Sequence, residues 1–194
     1  PRPIRLISGK SVFCETFFEN VRVPAGHLVG ELNKGWTIAK RLLEHERKGI
    51  GGIGARQAAK FEVPPEAMAK RYAGEENGRI ADAGLRDRIA SYSMDAHAFQ
   101  LTRRRATEEQ QAGAPPGPLS AMFKYYATEL NKQRYEMLLQ AEGFQAFGWE
   151  GDGFTDDEVR ITREWLRSKA NSIEGGTSEI QLNIIAKRVL ALPD

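Results

Sequence analysis

From Gly35 onward the apolar residues recur every three or four positions, and this period fixes the class of fold. Trp36, Ala39, Leu43, Glu46, Ile50 and Ile53 are spaced 3, 4, 3, 4, 3, which predicts a helix over about 34–57. Leu85, Ile89, Tyr92, Ala96 and Phe99 mark one face of a helix over about 82–111. Leu119, Phe123, Tyr126, Leu130 and Leu138 do the same over about 119–142. Between the first two lie a loop at Val63–Pro64–Pro65, a short helix around Glu66–Tyr72 and a polar loop, Gly74–Gly78. The segment Gly113–Pro118 breaks the second long helix, because its glycines and prolines cannot sustain one. A glycine-rich stretch, Gly143–Gly153, leads to Thr155-x-x-Glu158, a capping-box spacing that opens a shorter helix ending near Lys169. A last helix follows Gly175–Gly176. Long amphipathic helices with short connections pack as a bundle.

The first 32 residues read differently. Phe13, Phe17, Phe18, Val21 and Val23 are strand formers, Glu19–Asn20 is a turn, and Pro24 and Gly26 punctuate the end. The expected fold is mainly α: a four-helix-bundle-type domain over 33–194 preceded by a short β segment over 1–32.

Composition bounds the function. The chain has 194 residues, with 28 basic and 26 acidic side chains and a net charge of +2. No bulk electrostatic argument for nucleic acid exists in that balance. The single cysteine, Cys14, excludes an internal disulfide and a cysteine-rich metal site, and fits a reducing, cytoplasmic location. No apolar run long enough for a membrane span and no signal peptide is present. The chain opens on Pro1 within strand-like sequence, and a fragment or processed product is the expectation.

The residues with chemical potential fall in a few places. Asn171–Gln181 holds two glycines, a carboxylate (Glu174) and a helix start in which Ser178 and Gln181 have capping-box spacing; Ile180, Ile184 and Val189 follow on one face. Such a turn can approach a polar or anionic ligand closely, or be an ordinary capped loop. Glu46 sits inside an otherwise apolar stripe. Burial opposes ionisation, which suits a general base near neutrality; a buried ion pair or interhelix hydrogen bond is the alternative. Gly49, Gly51, Gly52 and Gly54 follow it, each costing about 1 kcal/mol in a helix interior, so either close packing or room for a ligand must justify them. Gln140-x-x-Gly143 ends the third long helix, where a glycine also serves as an ordinary cap. Arg167 and Lys169 either favour the C-terminal end of their helix or reach an anionic ligand. Arg103–Arg104–Arg105 read as a solvated face, and Asp156–Asp157–Glu158 as a helix start. His27, His45 and His97 have no metal-ligand spacing, and no nucleophile motif or P-loop is present.

Together these motifs resemble the C-terminal part of an acyl-CoA dehydrogenase. Phe17–Pro24, Leu28–Val29–Gly30 and Asn33–Lys34–Gly35–Trp36 are similar to that family's junction between a middle β-domain and C-terminal helices. Leu43–Glu44–His45–Glu46–Arg47 resembles its first C-terminal helix, Gln140-x-x-Gly143 its flavin-side segment, and Gly175–Gly176–Thr177–Ser178–Glu179–Ile180–Gln181 its C-terminal signature. The resemblance makes residues 1–32 the end of the β-domain, and implies FAD-dependent α,β-dehydrogenation of an acyl-CoA thioester. A carboxylate base removes the α-proton, hydride passes to the flavin N5, and an electron-transfer flavoprotein reoxidises the flavin. It also implies a homo- or hetero-oligomer, dimer or tetramer, with FAD at a subunit interface.

Carried over by position, Gln140, Gly143, Thr177 and Glu179 are the cofactor-binding candidates. Many members place the base immediately before Gly-Thr-Ser; here that slot is Gly175, and Glu174 lies one residue earlier. Others place it in a Glu-Arg pair on the first C-terminal helix, which Glu46–Arg47 matches. Glu46 is therefore the preferred base and Glu174 the alternative. The family's Arg-x-x-Phe-Gly flavin motif has no counterpart in Phe61–Asn77. A non-catalytic partner subunit or assembly module of a heteromeric dehydrogenase is the alternative function. The acyl group is not legible from the sequence.

Overall fold

The computed structural model describes residues 1–42, 63–113 and 119–193. They divide into two compact units. Glu46, Arg47 and the glycines at 49–54 lie outside the described residues.

In the first unit the described residues are 1–5 and 11–42. Strand β1 (Arg2–Ile4) pairs antiparallel with β2 (Phe13–Glu15), with Arg2 opposite Glu15 and Ile4 opposite Phe13. The Arg2 guanidinium clasps the facing carboxylate, Nε to Oε2 at 2.9 Å. Strand structure stops there. Phe17, Phe18, Val21 and Val23 form no strand and stand exposed, although the turn at Glu19–Asn20 is present, Asn20 adopting φ +50°. A 3-10 turn, Ala25–His27, precedes α1, described over residues 35–42, in which Trp36 is exposed and Ala39 half-buried. No described residue of this unit is buried, so its β-forming side chains have no core of their own among these residues.

The second unit holds residues 6–10 and the chain from 63 onward. Helix α2 (Pro65–Ala73) starts with proline at its first position, where the missing N–H costs nothing. The polar loop after it closes as a small hairpin, β3 (Glu75–Glu76) against β4 (Arg79–Ile80), which the sequence pattern does not mark as strand. Helix α3 (Ala83–Gln111) begins at Asp82, whose side chain accepts from the Leu85 N–H at 2.8 Å. Its predicted stripe faces inward, from fully buried Leu85 and Ile89 to half-buried Tyr92, Ala96 and Phe99. Helix α4 (Leu119–Glu142) is the central element, packed against α2, α3, α5 (Asp156–Ser168) and α6 (Ser178–Ile184).

The core gathers Met68 and Ala69 from α2, Ile80, Leu85 and Ile89, then Met137, Leu138 and Ala141 from α4, and Ile161 from α5. At the other end of the α3–α4 pair, Phe99 meets Phe123 edge-on and stacks on Tyr126, both at 6.0 Å between ring centres. The Arg103–Arg105 face is exposed as expected; Arg104 and Arg105 pair with Glu108 and Glu109, while Arg103 also covers the Phe99 ring. The fold is the mainly α bundle expected, and among the described residues no helix is long and apolar enough to cross a membrane.

Candidate functional site

The site candidates in the second unit lie on two segments that border α4. One is the turn Gly143–Phe147 at its end; the other joins α5 to α6. Each is built by local chemistry that the sequence specifies.

Helix α4 stops at Gly143, which adopts φ +59°, a left-handed conformation that side chains disfavour. A single 3-10 turn, Gly143–Phe147, continues from it. Nothing lies within 4 Å of the position a Cβ on Gly143 would occupy, so a flat group can approach this backbone. Phe144 and Phe147 point outward at 89% and 81% exposure, their rings 6.2 Å apart. Gln140 is exposed one helical turn earlier and accepts from the Arg88 guanidinium of α3. The turn is tied to α5, where the Thr162 hydroxyl donates to Ala146 O at 3.0 Å, and the segment after it by Arg163 donating to Trp149 O at 3.0 Å. The Thr155–Glu158 capping box forms with both of its bonds, as the spacing predicts.

The second segment is a charge-locked turn. After α5 a short 3-10 turn, Lys169–Ser172, leads into Gly175 at φ +68° and Gly176 at φ +96°. The Glu174 carboxylate does not face a free space. Its Oε2 accepts from Arg167 at 2.7 Å and its Oε1 from the Asn171 side-chain amide at 2.6 Å. Asn171 in turn accepts from Asn131 of α4 at 2.8 Å. Lys169 pairs with Glu136 at 2.7 Å and covers the Trp165 ring, so it does not reach out to a ligand. Gly175 itself is exposed, with open space where a side chain would project.

The helix start after the turn is shifted by one residue from the sequence reading. Thr177, not Ser178, caps α6, its hydroxyl accepting from the Ile180 N–H at 3.3 Å. Gln181 is buried and turns back on the glycines, its amide donating to Gly175 O and Gly176 O at 3.3 and 3.4 Å. The expected apolar face is also mostly open, with Ile180 51% and Val189 38% exposed and only Ile184 half-buried. Glu179 is exposed, and its carboxyl is held below the ordinary range by its own backbone N–H and the Thr177 hydroxyl.

Several polar groups around this turn lack partners among the described residues. Arg167 Nη1, Ser172 Oγ, Ser178 Oγ and the Lys124 ammonium of α4 are all buried without a hydrogen bond. Burial lowers the pKa of Lys124, and the Glu174 charge works against that shift. These donors, with the open backbone at Gly143, suit a polar cofactor such as FAD. Lys124 does not stand out in the sequence, because its place on α4 falls between stripe residues and no short motif marks it. Asn131 escapes notice for the same reason. Among the described residues no cluster of three or more potential metal ligands exists.

Comparison with known proteins shows the family. Residues 33–190 match the family described as acyl-CoA dehydrogenase, C-terminal domain. The chain is 30% identical over 192 residues to the acyl-CoA dehydrogenase FadE34 of Mycobacterium tuberculosis, covering 99% of this chain and 24% of that protein. It is 30% identical to the acyl-CoA dehydrogenase IpdE1 of Mycolicibacterium smegmatis, over 99% of this chain and 45% of the relative. A solved structure, the Tcur3481-Tcur3483 steroid ACAD, superposes with a TM-score of 0.75 at 25% identity, over 98% of this chain and 48% of that one. The chain thus spans between about a quarter and a half of the relatives it matches, and it belongs to the acyl-CoA dehydrogenase family, of which it carries the C-terminal helical domain.

Proposed function

We propose that this chain is part of a flavin-dependent acyl-CoA dehydrogenase in which Glu46 removes the α-proton of an acyl-CoA thioester. Residues 1–32 are read as the end of a β-domain and 33–194 as the helical domain. One observation carries the choice of base. Glu174 is held by Arg167 and Asn171, and the next position is Gly175, so the C-terminal turn offers no uncommitted carboxylate. Glu46, paired in sequence with Arg47, is the remaining carboxylate in a family base position.

FAD, when bound, supplies the acceptor for the hydride that leaves the β-carbon. Gln140, Gly143, Thr177 and Glu179 would hold it, with the open Gly143 backbone and the unpartnered donors near Thr177 as the features that fit. Glu46 abstracts and retains the α-proton. An electron-transfer flavoprotein takes up the electrons, and the working protein is a homo- or hetero-oligomer. The steroid ACAD among its structural neighbours supports a bulky, polycyclic acyl group as the substrate class.

The test is α-proton exchange of a bound acyl-CoA in the intact protein. Glu46→Gln should lower exchange by at least three orders of magnitude with flavin retained, and Glu174→Gln should leave it within a few-fold of wild type. Exchange surviving in Glu46→Gln overturns the assignment. The second reading, a non-catalytic partner subunit, is favoured by Gly175 in the base slot. Intact protein expressed alone that holds no flavin and shows no exchange would select it.

A further inference from the structure

Glu142, the last residue of α4, plays no part in the chemistry above, yet it is a buried charge. It is 4% exposed, and neither of its carboxylate oxygens has a hydrogen-bond partner among those residues. The groups that surround it are committed elsewhere. From α2, the Tyr72 hydroxyl donates to Glu158 Oε1 at 2.6 Å, and Arg71 lies over the Tyr72 ring at 5.0 Å. From α5, Glu158 also receives the Thr155 N–H at 2.7 Å, and Arg160 pairs with Asp157 at 2.9 Å. From α3, Arg88 donates to Gln140 instead. The Tyr72 hydroxyl, the Thr155 N–H, Arg160 and Arg88 thus have other acceptors, Arg71 lies over a ring, and Glu158 stands beside Glu142 as a second carboxylate.

Two adjacent buried carboxyls divide their charge according to their donors. Glu158, with the tyrosine and the backbone amide, is held below the ordinary carboxylate range. Glu142, with neither, is pushed up to about 7, first by burial and then by the Glu158 charge, Arg71 and Arg160 opposing and Asp157 adding to it. The next residue is Gly143, and beyond it runs the 3-10 turn, none of whose residues is buried and whose link to α5 is the Thr162 hydroxyl on Ala146 O.

We propose that Glu142 is a proton-operated latch on the Gly143–Phe147 turn. Carrying its proton, it keeps the last turn of α4 seated between α2 and α5. Losing the proton, it seeks water, unseats that helix end and releases the turn behind it. The latch is closed in mildly acidic solution and opens as pH rises through neutrality. The turn is one of the segments assigned to the flavin, so the same proton would modulate access to it; the latch itself does not depend on that assignment.

The test is amide hydrogen exchange across 140–147 in the intact protein between pH 5.5 and 8.5, corrected for intrinsic exchange rates. In wild type the corrected opening constant should rise by one to two orders of magnitude across this range. The ceiling is about 300-fold, set by a carboxyl that returns from about 7 to its ordinary 4.5 on opening. Glu142→Gln should remain closed at every pH. Glu158→Gln, by removing the neighbouring charge, should move the opening to lower pH. A flat wild-type profile, or a Glu142→Gln profile that still rises with pH, overturns the proposal. Should Glu142→Gln fail to fold, direct carboxyl titration of wild type by carbon-13 NMR decides it: a midpoint near 7 supports the latch, and one below 5.5 overturns it.

Discussion

Arg167 and Glu174 meet at 2.7 Å across the turn that joins α5 to α6, and the two residues define what that turn can do. A carboxylate already held by a guanidinium and a side-chain amide is not free to turn toward a substrate. Its role is to fix the backbone that presents Gly175 and Gly176. Both side chains keep some solvent exposure, so the pair itself contributes modestly, below about 1 kcal/mol.

Glu174→Ala is therefore expected to lower the melting temperature by about 2–4 °C, the shift that about 1 kcal/mol produces in a domain of this size. The same substitution leaves the Asn171 amide without its acceptor, which adds to that figure. The α-proton exchange rate should stay within a few-fold of wild type. A thermal melt followed by an exchange assay on the same sample checks both. Loss of exchange at unchanged stability would return Glu174 to the chemistry.

Thr155→Ala removes one half of a complete capping box, in which the Thr155 hydroxyl accepts from the Glu158 N–H and the Glu158 carboxylate accepts from the Thr155 N–H. The expected cost is about 1 kcal/mol. Thr155→Ser keeps the acceptor and should recover most of it. Denaturant unfolding of the two variants measures the difference, and equal stabilities would show that the hydroxyl contributes nothing.

These elements differ in how openly the sequence announces them. The α3 stripe, the proline start of α2 and the Thr155 box are legible because each depends on spacing within a single segment. Glu142 follows Leu138 by four residues, on the same apolar face, and adding it to that stripe would have exposed a buried acid. Its lack of a donor is not legible, since that depends on Tyr72 and Thr155 being drawn to Glu158 across three helices. The start of α6 is ambiguous by one residue because Thr177 and Ser178 are both competent caps; burial of Gln181 against the glycines selects Thr177. The strand reading of Phe17–Val23 follows side-chain preference alone, which reports a fit to a half-buried pleated surface. No neighbouring strand among the described residues supplies that surface.

Tyr72→Phe should lower stability most near neutrality and flatten its fall with acid. The Glu158 carboxyl is held below its ordinary value first by the Tyr72 hydroxyl. A carboxyl with a depressed folded-state pKa stabilises the fold above its unfolded value, near 4.5, and loses that contribution as pH falls through the folded value. Removing the hydroxyl shrinks the depression. Near neutrality the variant should lose about 1.5–3 kcal/mol, the worth of a hydrogen bond to a charged group, with a smaller loss at low pH where Glu158 is neutral in both proteins. Urea melts of wild type and variant at pH 7 and pH 3 test this, and an equal loss at both would assign the effect to packing.

Two glycines bracket the Gly143–Phe147 turn for different physical reasons, and substitution separates them. Gly143 needs its left-handed φ of +59° but has open space around it, so Gly143→Ala costs about 1 kcal/mol in backbone strain. Gly148 has an ordinary φ of −65°, but a Cβ there would lie 2.4 Å from the Phe154 ring. Gly148→Ala must push that ring aside, at a cost of about 1–3 kcal/mol. Trimming the ring distinguishes the two. In the double variant Gly148→Ala/Phe154→Leu the glycine substitution should cost less than in the wild-type background, a coupling of at least about 0.5 kcal/mol between touching residues. Gly143→Ala should cost the same in either background, because strain at φ +59° has no side-chain partner to relieve it. Urea unfolding of the two cycles reads both couplings. Equal costs for Gly148→Ala in the two backgrounds would show that the Phe154 ring is not what keeps that position a glycine.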